Sequence, residues 1–204
     1  MTHFLTVTTA LSMRNELYYV AVTFALTLLL PIMVFVVITN TGLNNVSNKL
    51  VTSNATTHTI ALKDPITGKI IKELSTSMVW PITGVVTLEF GENDLPYQPF
   101  HTGIDIAAAN ATPITPFMKG TVTQVDHLNW GYGNYVVVDH GNNITSLYGH
   151  MSQTNATKGQ SVQPGDTIGY VGETGWATGP HVHFQIMVND IPVNPRTFLG
   201  NTGP

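Results

Sequence analysis

The sequence predicts a mainly β domain, built as an antiparallel sheet or sandwich around a groove, preceded by one N-terminal transmembrane helix. Three observations carry this prediction. Residues 17–38 form an uncharged apolar run, and from Val79 onward short β-rich stretches alternate with turns that contain glycine, proline or asparagine. The segment from His181 to Ile186 alternates histidine or polar residues with apolar ones, which is typical of a strand with one buried face.

The apolar run from Leu17 to Ile38 contains 22 residues and no charge. A helix needs about 20 predominantly apolar residues to cross a bilayer, so this run predicts a single membrane span. A cleaved signal peptide is the alternative, but its apolar region is typically about 7–15 residues long and ends at a small-residue cleavage site. No such pattern follows Ile38, which favours an uncleaved anchor. Residues 1–16, with Arg14 before the span, are then expected to form a cytoplasmic tail.

Residues 39–78 are predicted to form a stalk between the membrane and the β domain. The part from Gly42 to Thr59 is mostly asparagine, serine, threonine and valine, and this composition predicts that it is too polar to bury a core. Further on, Asp64-Pro65-Ile66-Thr67-Gly68 is turn chemistry between two apolar runs. A short hairpin is therefore expected within this stalk.

Residues 79–200 are predicted to fold as one β domain. The β-rich stretches are Val85–Leu88, Gly120–Val125, Tyr135–Val138, Ile144–Tyr148 and Thr167–Val171. Short strands with regular turn signals indicate a sheet, sandwich or barrel, and no helical period is evident after the membrane span. About 120 residues are enough for such a domain to bury its own core.

Composition excludes several classes of function. The chain has no cysteine, so a disulfide framework and a thiolate metal site are both excluded, and any metal must be held by histidine or carboxylate side chains. The formal charge is −4 and the isoelectric point is near 6.0. From Val79 onward there are three basic and nine acidic residues. Nucleic-acid binding is therefore not expected.

Two histidines stand at alternate positions of the segment His181-Val182-His183-Phe184-Gln185-Ile186. Residues at i and i+2 of a strand share one face, so both imidazoles point to the same side while Val182, Phe184 and Ile186 point into a core. Such a pair favours a metal or proton-transfer site. The alternative is two solvated histidines on an exposed sheet face.

A second segment supplies partners for this pair. In His101-Thr102-Gly103-Ile104-Asp105 the histidine and the carboxylate would lie on the same face of a strand, with Gly103 between them leaving access. Together the two segments offer three histidines and a carboxylate, whereas a catalytic zinc needs three protein ligands and a water. His150, at the end of another predicted strand, is a fifth candidate, although by itself it could also be an ordinary hydrogen-bonded histidine.

Several ordered motifs make the region from Val79 to Leu199 resemble the lysostaphin-type, or LytM-type, zinc endopeptidases that cut peptidoglycan peptides. The matching motifs are Trp80-Pro81, Phe90-Gly91, His101-x-Gly-x-Asp105, Gly131-Tyr132-Gly133-Asn134, Tyr148-Gly149-His150-Met151, Gly172-Glu173-Thr174-Gly175 and Thr178-Gly179-Pro180-His181-x-His183-Phe184. The predicted membrane span and stalk lie outside the resemblance.

The resemblance implies a fold of the duplicated hybrid motif type and a zinc ion held by His101, Asp105 and His183. It also implies that His181 and His150 are not ligands but catalytic groups that assist the attacking water. The general chemistry agrees, because neutral imidazoles beside a zinc site can accept a proton or donate to a developing oxyanion. The implied substrate is a stem peptide or cross-bridge of peptidoglycan.

Two positions depart from the family pattern or are weakly placed. Many relatives have a small residue where Glu173 stands, in a turn expected to edge the groove, so an extra carboxylate there could change substrate choice. A tyrosine upstream of the first zinc histidine often stabilises the transition state, and Tyr97 is the candidate for that role.

Two functions remain open at this point. The first is a membrane-anchored zinc endopeptidase acting on cell-wall cross-links outside the cytoplasmic membrane of a bacterium. Its setting, whether wall growth or a secretion, conjugation or phage-related machine, and any partner in the cell-wall machinery stay open. The second is a non-catalytic scaffold of the same fold that binds or activates a wall hydrolase. Scaffolds of that kind usually lack some metal ligands, and the complete set of five residues favours the enzyme.

Overall fold

The computed structural model describes residues 18–27, 29–30, 41–54, 59–74, 77–93, 100–200 and 203–204. The chain divides into two compact units, Met1–Thr41 and Gly42–Pro204. In the first unit, residues 18–27 and 29–30 are helical.

No helix within the described parts of the chain is both long and apolar enough to cross a membrane. Residues 17, 28 and 31–38 of the predicted span, and all of the predicted tail at 1–16, lie outside the described residues.

The segment predicted as a stalk, residues 39–78, differs from that prediction. Residues 41–50 form a helix, here α1, and three strands follow it in one antiparallel sheet. The helix forms because Leu43, Val46, Ser47 and Leu50 recur at a spacing of three or four, which places them on one stripe. Ser47 and Leu50 are buried, although the surrounding asparagines and threonines made the composition look too polar for a core.

The expected hairpin is present in this sheet, with its turn held by the Asp64 carboxylate, which accepts from the backbone N–H groups of Ile66 and Thr67. The same hydrogen bonds lower the pKa of Asp64. The three strands of this sheet are β1 (Val51–Asn54), β2 (Thr59–Lys63) and β3 (Ile70–Leu74).

The rest of the second unit is almost entirely β, as the sequence predicts. Its strands are β4 (Val85–Leu88), β5 (Ile104–Ala107), β6 (Pro113–Ile114), β7 (Gly120–His127), β8 (Asn134–Asp139), β9 (Ile144–Gly149), β10 (Gln153–Thr154), β11 (Ser161–Val162), β12 (Gly169–Tyr170), β13 (His181–Val188) and β14 (Ile191–Val193). A four-residue helix, α2 (Arg196–Leu199), ends the described fold.

Eight of these strands form the main antiparallel sheet, in the order β11-β7-β8-β9-β13-β5-β4, with β14 also paired to β13. Strand β13 lies at its centre, between β9 on one side and β5 and β14 on the other. A smaller three-stranded sheet has the order β10-β12-β6. Five predicted β stretches are confirmed as strands, although the one at residues 167–171 is reduced to β12.

The core lies on one face of the main sheet. Val182, Phe184 and Ile186 of β13 are completely buried there, as the alternation predicts. Phe184 stacks on Tyr148 of β9, with ring centroids 5.4 Å apart, and packs against Phe117. This face anchors β13, so the alternate residues of the same strand are held on the opposite face.

His140, which the sequence gave no role, joins a polar chain that enters the core. Its Nδ1 lies 2.9 Å from the carbonyl oxygen of Lys119, and its Nε2 lies 2.7 Å from the hydroxyl of Ser146. That hydroxyl donates to the hydroxyl oxygen of Tyr148, which also accepts from the backbone N–H of Phe117. Burial lowers the pKa of His140 and raises that of Tyr148, so both side chains are neutral near pH 7.

We expect His140 to make folding stability depend on pH. Because burial lowers its pKa below the unfolded value of about 6.5, the unfolded chain binds the extra proton, and the stability from neutral His140 is full above that value and lost as pH falls below it. In His140→Gln the decline in unfolding free energy between pH 7 and pH 5 should be shallower. The measurement is urea denaturation with a chelator present.

The matched control is His127→Gln, since the ring of His127 is exposed. An unchanged pH slope in His140→Gln, or an equal change in His127→Gln, would contradict this account of the buried imidazole.

Candidate metal centre

Strand pairing aligns the two motifs that the sequence singled out. Between β5 and β13 the register places His183 opposite Asp105, and between β13 and β9 it places His183 opposite Gly149. His150 follows Gly149 directly at the end of β9. Three neighbouring strands therefore bring the predicted residues to one place on the sheet.

Three side-chain atoms converge at this place, one each from His101, Asp105 and His183. His101 Nε2 lies 2.9 Å from His183 Nδ1, His183 Nδ1 lies 2.9 Å from Asp105 Oδ1, and His101 Nε2 lies 3.1 Å from Asp105 Oδ1. All three residues are buried, with 7% or less of their surface exposed. They form a triangle of potential ligand atoms at the floor of a groove.

In His101 and His183, the ring nitrogen that points away from the triangle lies near a hydrogen-bond acceptor. His101 Nδ1 lies 3.2 Å from the carbonyl oxygen of Glu89, and His183 Nε2 lies 3.4 Å from Oε1 of Gln185. A neutral imidazole that donates from one nitrogen presents a lone pair on the other. In this tautomer the two nitrogens that face each other across 2.9 Å both present lone pairs, an arrangement that a cation between them stabilises.

His101 reaches the triangle from a loop and not from a strand. Strand β5 begins at Ile104, so the prediction that His101, Gly103 and Asp105 lie along one strand face is wrong for its first part. At Gly103 the chain passes so close to β13 that a Cβ would lie 2.5 Å from the carbonyl oxygen of Phe184 and 2.9 Å from the ring of His183. Only glycine fits this close approach.

Asp105 is held in its ionised form. Burial alone raises its pKa, but when a groove-side nitrogen of His101 or His183 carries a proton, the hydrogen bond from that ring and its positive charge outweigh burial and hold the pKa far below its ordinary value. A carboxylate in this state is ready to bind a cation. A second oxygen, Oδ2, lies 3.6 Å from Nε2 of His181.

The donor set fits zinc. Two imidazole nitrogens and one carboxylate oxygen, with no thiolate in the chain, are the three protein ligands typical of a catalytic zinc site. Calcium and magnesium prefer sites made only of oxygen ligands. The hydrogen-bond acceptors behind both histidines are the outer contacts that metal-bound imidazoles require.

The two predicted catalytic histidines lie beside this triangle. The rings of His150 and His181 are 4.7 Å apart between centroids, tilted by 52°. His150 Nδ1 lies 2.8 Å from the carbonyl oxygen of Thr174, and His181 Nδ1 lies 2.8 Å from that of Gly179. With Nδ1 donating to a backbone carbonyl, the neutral form of each ring presents an unprotonated Nε2.

Burial is the main reason that the pKa of His150 falls to about 4, and repulsion from His183 and His181 lowers it further. His150 is therefore neutral near pH 7 and able to accept a hydrogen bond or a proton. Its backbone takes the left-handed conformation, with φ of 61°, which turns the side chain from the end of β9 toward His181.

Gln185 is a site residue that the sequence reasoning missed. Its Oε1 accepts hydrogen bonds from the hydroxyls of Thr102 at 2.6 Å and Tyr132 at 3.1 Å, and it also lies 3.4 Å from Nε2 of His183. Only 4% of its surface is exposed. The alternation of side chains along a strand could have identified it, because Gln185 follows His181 and His183 on the same face of β13.

These residues form the floor of a groove of about 540 Å³. Its lining residues are His101, Asp105, Leu128, Trp130, Gly131, Tyr132, Tyr135, His150, Trp176, Thr178, His181 and His183. Of the two doubtful positions, Glu173 is exposed in the loop that carries Thr174, and Tyr97 lies outside the described residues.

Comparison with known proteins agrees with this geometry. The family model described as Peptidase family M23 matches residues 99–195. The peptidoglycan DD-endopeptidase ShyA of Vibrio cholerae is 40% identical over 94 residues, which is 46% of this chain and 22% of that protein. The matched segment thus spans about a fifth of the length of such curated relatives.

Two solved structures share the fold. The catalytic domain of the prophage-encoded M23 protein EnpA from Enterococcus faecalis is 36% identical, with a TM-score of 0.53, and the match covers 62% of this chain and 98% of that one. A zinc-containing peptidase from Vibrio cholerae is 26% identical, with a TM-score of 0.57, over 72% of this chain and 47% of that one.

We expect Gln185 to set the zinc affinity. Replacing it by leucine removes the acceptor that keeps the His183 proton on Nε2, so the lone pair on Nδ1 is no longer fixed toward the triangle. Zinc affinity of Gln185→Leu should fall on the order of 10–100-fold, as for other outer-contact residues. Competition titration against a chelating dye measures it.

Gln185→Glu is the matched control, because it keeps an oxygen acceptor in the same place and should retain most of the affinity. Wild-type zinc affinity in the leucine variant, with its fold intact by circular dichroism, would show that Gln185 does not orient the ligand.

Proposed function

Because the chain belongs to peptidase family M23, we propose that it is a zinc metalloendopeptidase that hydrolyses peptide bonds in the stem peptides or cross-bridges of peptidoglycan. The observation that carries the proposal is the buried triangle of His101 Nε2, Asp105 Oδ1 and His183 Nδ1, with two further imidazoles at its edge. The wall substrate is supported by relatives such as the peptidoglycan DD-endopeptidase ShyA.

In this proposal His101, Asp105 and His183 hold the metal. Zinc, when bound, polarises the peptide carbonyl and lowers the pKa of the attacking water. The protein's part is to hold three ligands in a buried, uncharged surrounding and to leave the groove side open for the peptide. Asp105 offsets part of the metal charge and is already ionised.

His181 is the better acceptor for the proton that the attacking water loses. Its Nε2 lies 3.6 Å from Oδ2 of Asp105, so a positive charge on this ring is stabilised by the carboxylate. On His150 burial and neighbouring imidazoles oppose a positive charge, so that ring stays neutral and orients the water by accepting a hydrogen bond. The proton on His181 then passes to the leaving amine, while its N–H stabilises the developing oxyanion in between.

We also propose that residues 17–38 anchor the protein as a single span in a bacterial cytoplasmic membrane, with the β domain outside the cytoplasm. The uncharged length of this run supports the anchor. A tether would keep the enzyme beside the wall, since a domain with an excess of acidic residues is not concentrated on anionic wall polymers by charge. Local wall remodelling for a secretion, conjugation or phage machine suits such a tethered enzyme.

The scaffold alternative is less well supported. All five residues that the enzyme needs are present and lie close together, and four of them are buried. A scaffold has no need for this arrangement.

We expect metal binding and catalysis to separate by mutation. His101→Ala and His183→Ala should lose both zinc and activity, because each removes one of three ligands. His150→Ala and His181→Ala should keep zinc but lose on the order of 10²–10⁴ in rate, the usual contribution of a positioned acid or base. The measurements are zinc content by elemental analysis and cleavage of defined muropeptides.

Loss of zinc in His181→Ala as complete as in His183→Ala would mean that the roles are wrongly assigned. A wild-type protein that binds zinc but cleaves no wall peptide would instead favour the scaffold. His127→Ala serves as the control, since that histidine is exposed and outside the groove.

The anchor has a separate test. Protease added to intact spheroplasts should remove the β domain and leave a small membrane-bound fragment that includes residues 17–38. Complete protection of the β domain, with degradation only after lysis, would contradict the proposed orientation.

A further inference from the structure

Two tryptophans stand at the rim of the groove with much of their surface in water. Trp130 is 61% exposed and Trp176 is 50% exposed, and their ring centroids are 6.3 Å apart at an angle of 52°. Both line the groove that holds the metal triangle. Exposed indoles beside a catalytic groove are unfavourable in water and typical of surfaces that bind a ligand.

A backbone contact joins the two loops that carry this pair. Trp176 N donates to the carbonyl oxygen of Gly131 at 3.0 Å. The two loops are so close that a Cβ on Gly175 would lie 2.3 Å from that oxygen, and Gly175 has φ of 71°. Since the loops are joined at glycines, the backbone positions that carry the two indoles are held beside each other.

The same loop is bonded to the catalytic residues. Thr174 accepts from His150 Nδ1 through its carbonyl, and its hydroxyl donates to the carbonyl of Met151 and accepts from Asn134 N. Trp176 is thus two residues from the group that fixes His150. Because the indoles line the same groove as the metal triangle, a peptide bound with its scissile bond over the triangle can reach them.

The wall beside the triangle is uncharged. Beyond the ligands and catalytic histidines it consists of Leu128, Trp130, Tyr132, Tyr135, Trp176 and Thr178 with Gly131. Among the described residues that line the groove, none is a lysine or an arginine. A carboxylate pressed against this surface would lose water without meeting a cationic side chain of the lining, and Glu173, exposed three residues before Trp176, is itself acidic.

We propose that Trp130 and Trp176 form an aromatic wall that binds uncharged residues of the wall peptide next to the scissile bond and disfavours a carboxylate there. The peptide plane lies against the indole faces, and the tilt between the rings makes a shallow trough for the chain. This inference rests on the proposed function and adds to it a basis for substrate choice.

The test compares two peptides. One is the wall peptide that the zinc-loaded protein cleaves best, and in the other an uncharged residue beside the cleaved bond is replaced by glutamate. For Trp130→Leu and Trp176→Leu, kcat/KM on the uncharged peptide should fall on the order of 10–100-fold, mainly through a higher KM. The phenylalanine variants, which keep an aromatic face, should stay within about threefold of wild type.

A charge reversal makes the test sharper. In Trp176→Lys, kcat/KM on the uncharged peptide should fall as it does in the leucine variant. On the glutamate peptide, kcat/KM should be at least as high as for wild type. Val85→Ala is the control, since Val85 is 69% exposed on β4 and outside the groove. Leucine variants within twofold of wild type, or equal losses on both peptides in Trp176→Lys, would overturn the proposal.

Calorimetric binding of a defined cross-linked muropeptide, chosen without reference to cleavage, and of its glutamate-substituted counterpart to zinc-loaded His150→Ala separates this inference from the proposed function. Binding that weakens when Trp176→Leu is added, in a protein whose wild type cleaves nothing, would support the wall and refute the enzyme. Cleavage by wild type that the tryptophan variants leave unchanged would refute the wall and support the enzyme.

Discussion

The pairing of His183 with Asp105 across β13 and β5 is the contact on which the rest of the site depends. It brings a carboxylate and an imidazole together at the centre of the main sheet, where the core packing of Phe184 and Val182 on the opposite face fixes β13. A shift of one residue in this register would turn the histidines of β13 into the core and its apolar side chains toward the groove. The metal site is thus protected by the same packing that stabilises the sheet.

Loop backbone carbonyls orient most of the imidazoles that the strands and loops bring to the site. Those of Glu89, Thr174 and Gly179 each accept from Nδ1 of a different imidazole, which in the neutral ring leaves the lone pair on the groove-facing Nε2 of His101, His150 and His181. Only His183 is turned the other way, with Gln185 behind its Nε2. The Glu89 side chain is itself held by Arg196, which also lies 5.4 Å above the ring of Trp80, so the end of the domain braces the turn behind His101.

Much of this could be predicted from the sequence where the signal was local. The alternation around His181 and His183 correctly predicted a strand with two imidazoles on one face, and the β-rich stretches predicted most of the main sheet. The helix at residues 41–50 was missed because its stripe of Leu43, Val46, Ser47 and Leu50 is surrounded by asparagines. The prediction followed the polar composition of the segment and not the helical spacing of these four residues. Gln185 was missed because its importance comes from three donors that meet only in the folded chain.

The central claim is that three side chains hold the metal while two neighbouring imidazoles stay free of it. Anomalous diffraction at the zinc edge, from crystals of the zinc-loaded protein, tests this most directly. The account predicts one strong peak at bonding distance from His101 Nε2, Asp105 Oδ1 and His183 Nδ1, with the rings of His150 and His181 outside the coordination sphere. A peak ligated by His150 or His181 in place of one of the three, or no peak within the triangle, would contradict it.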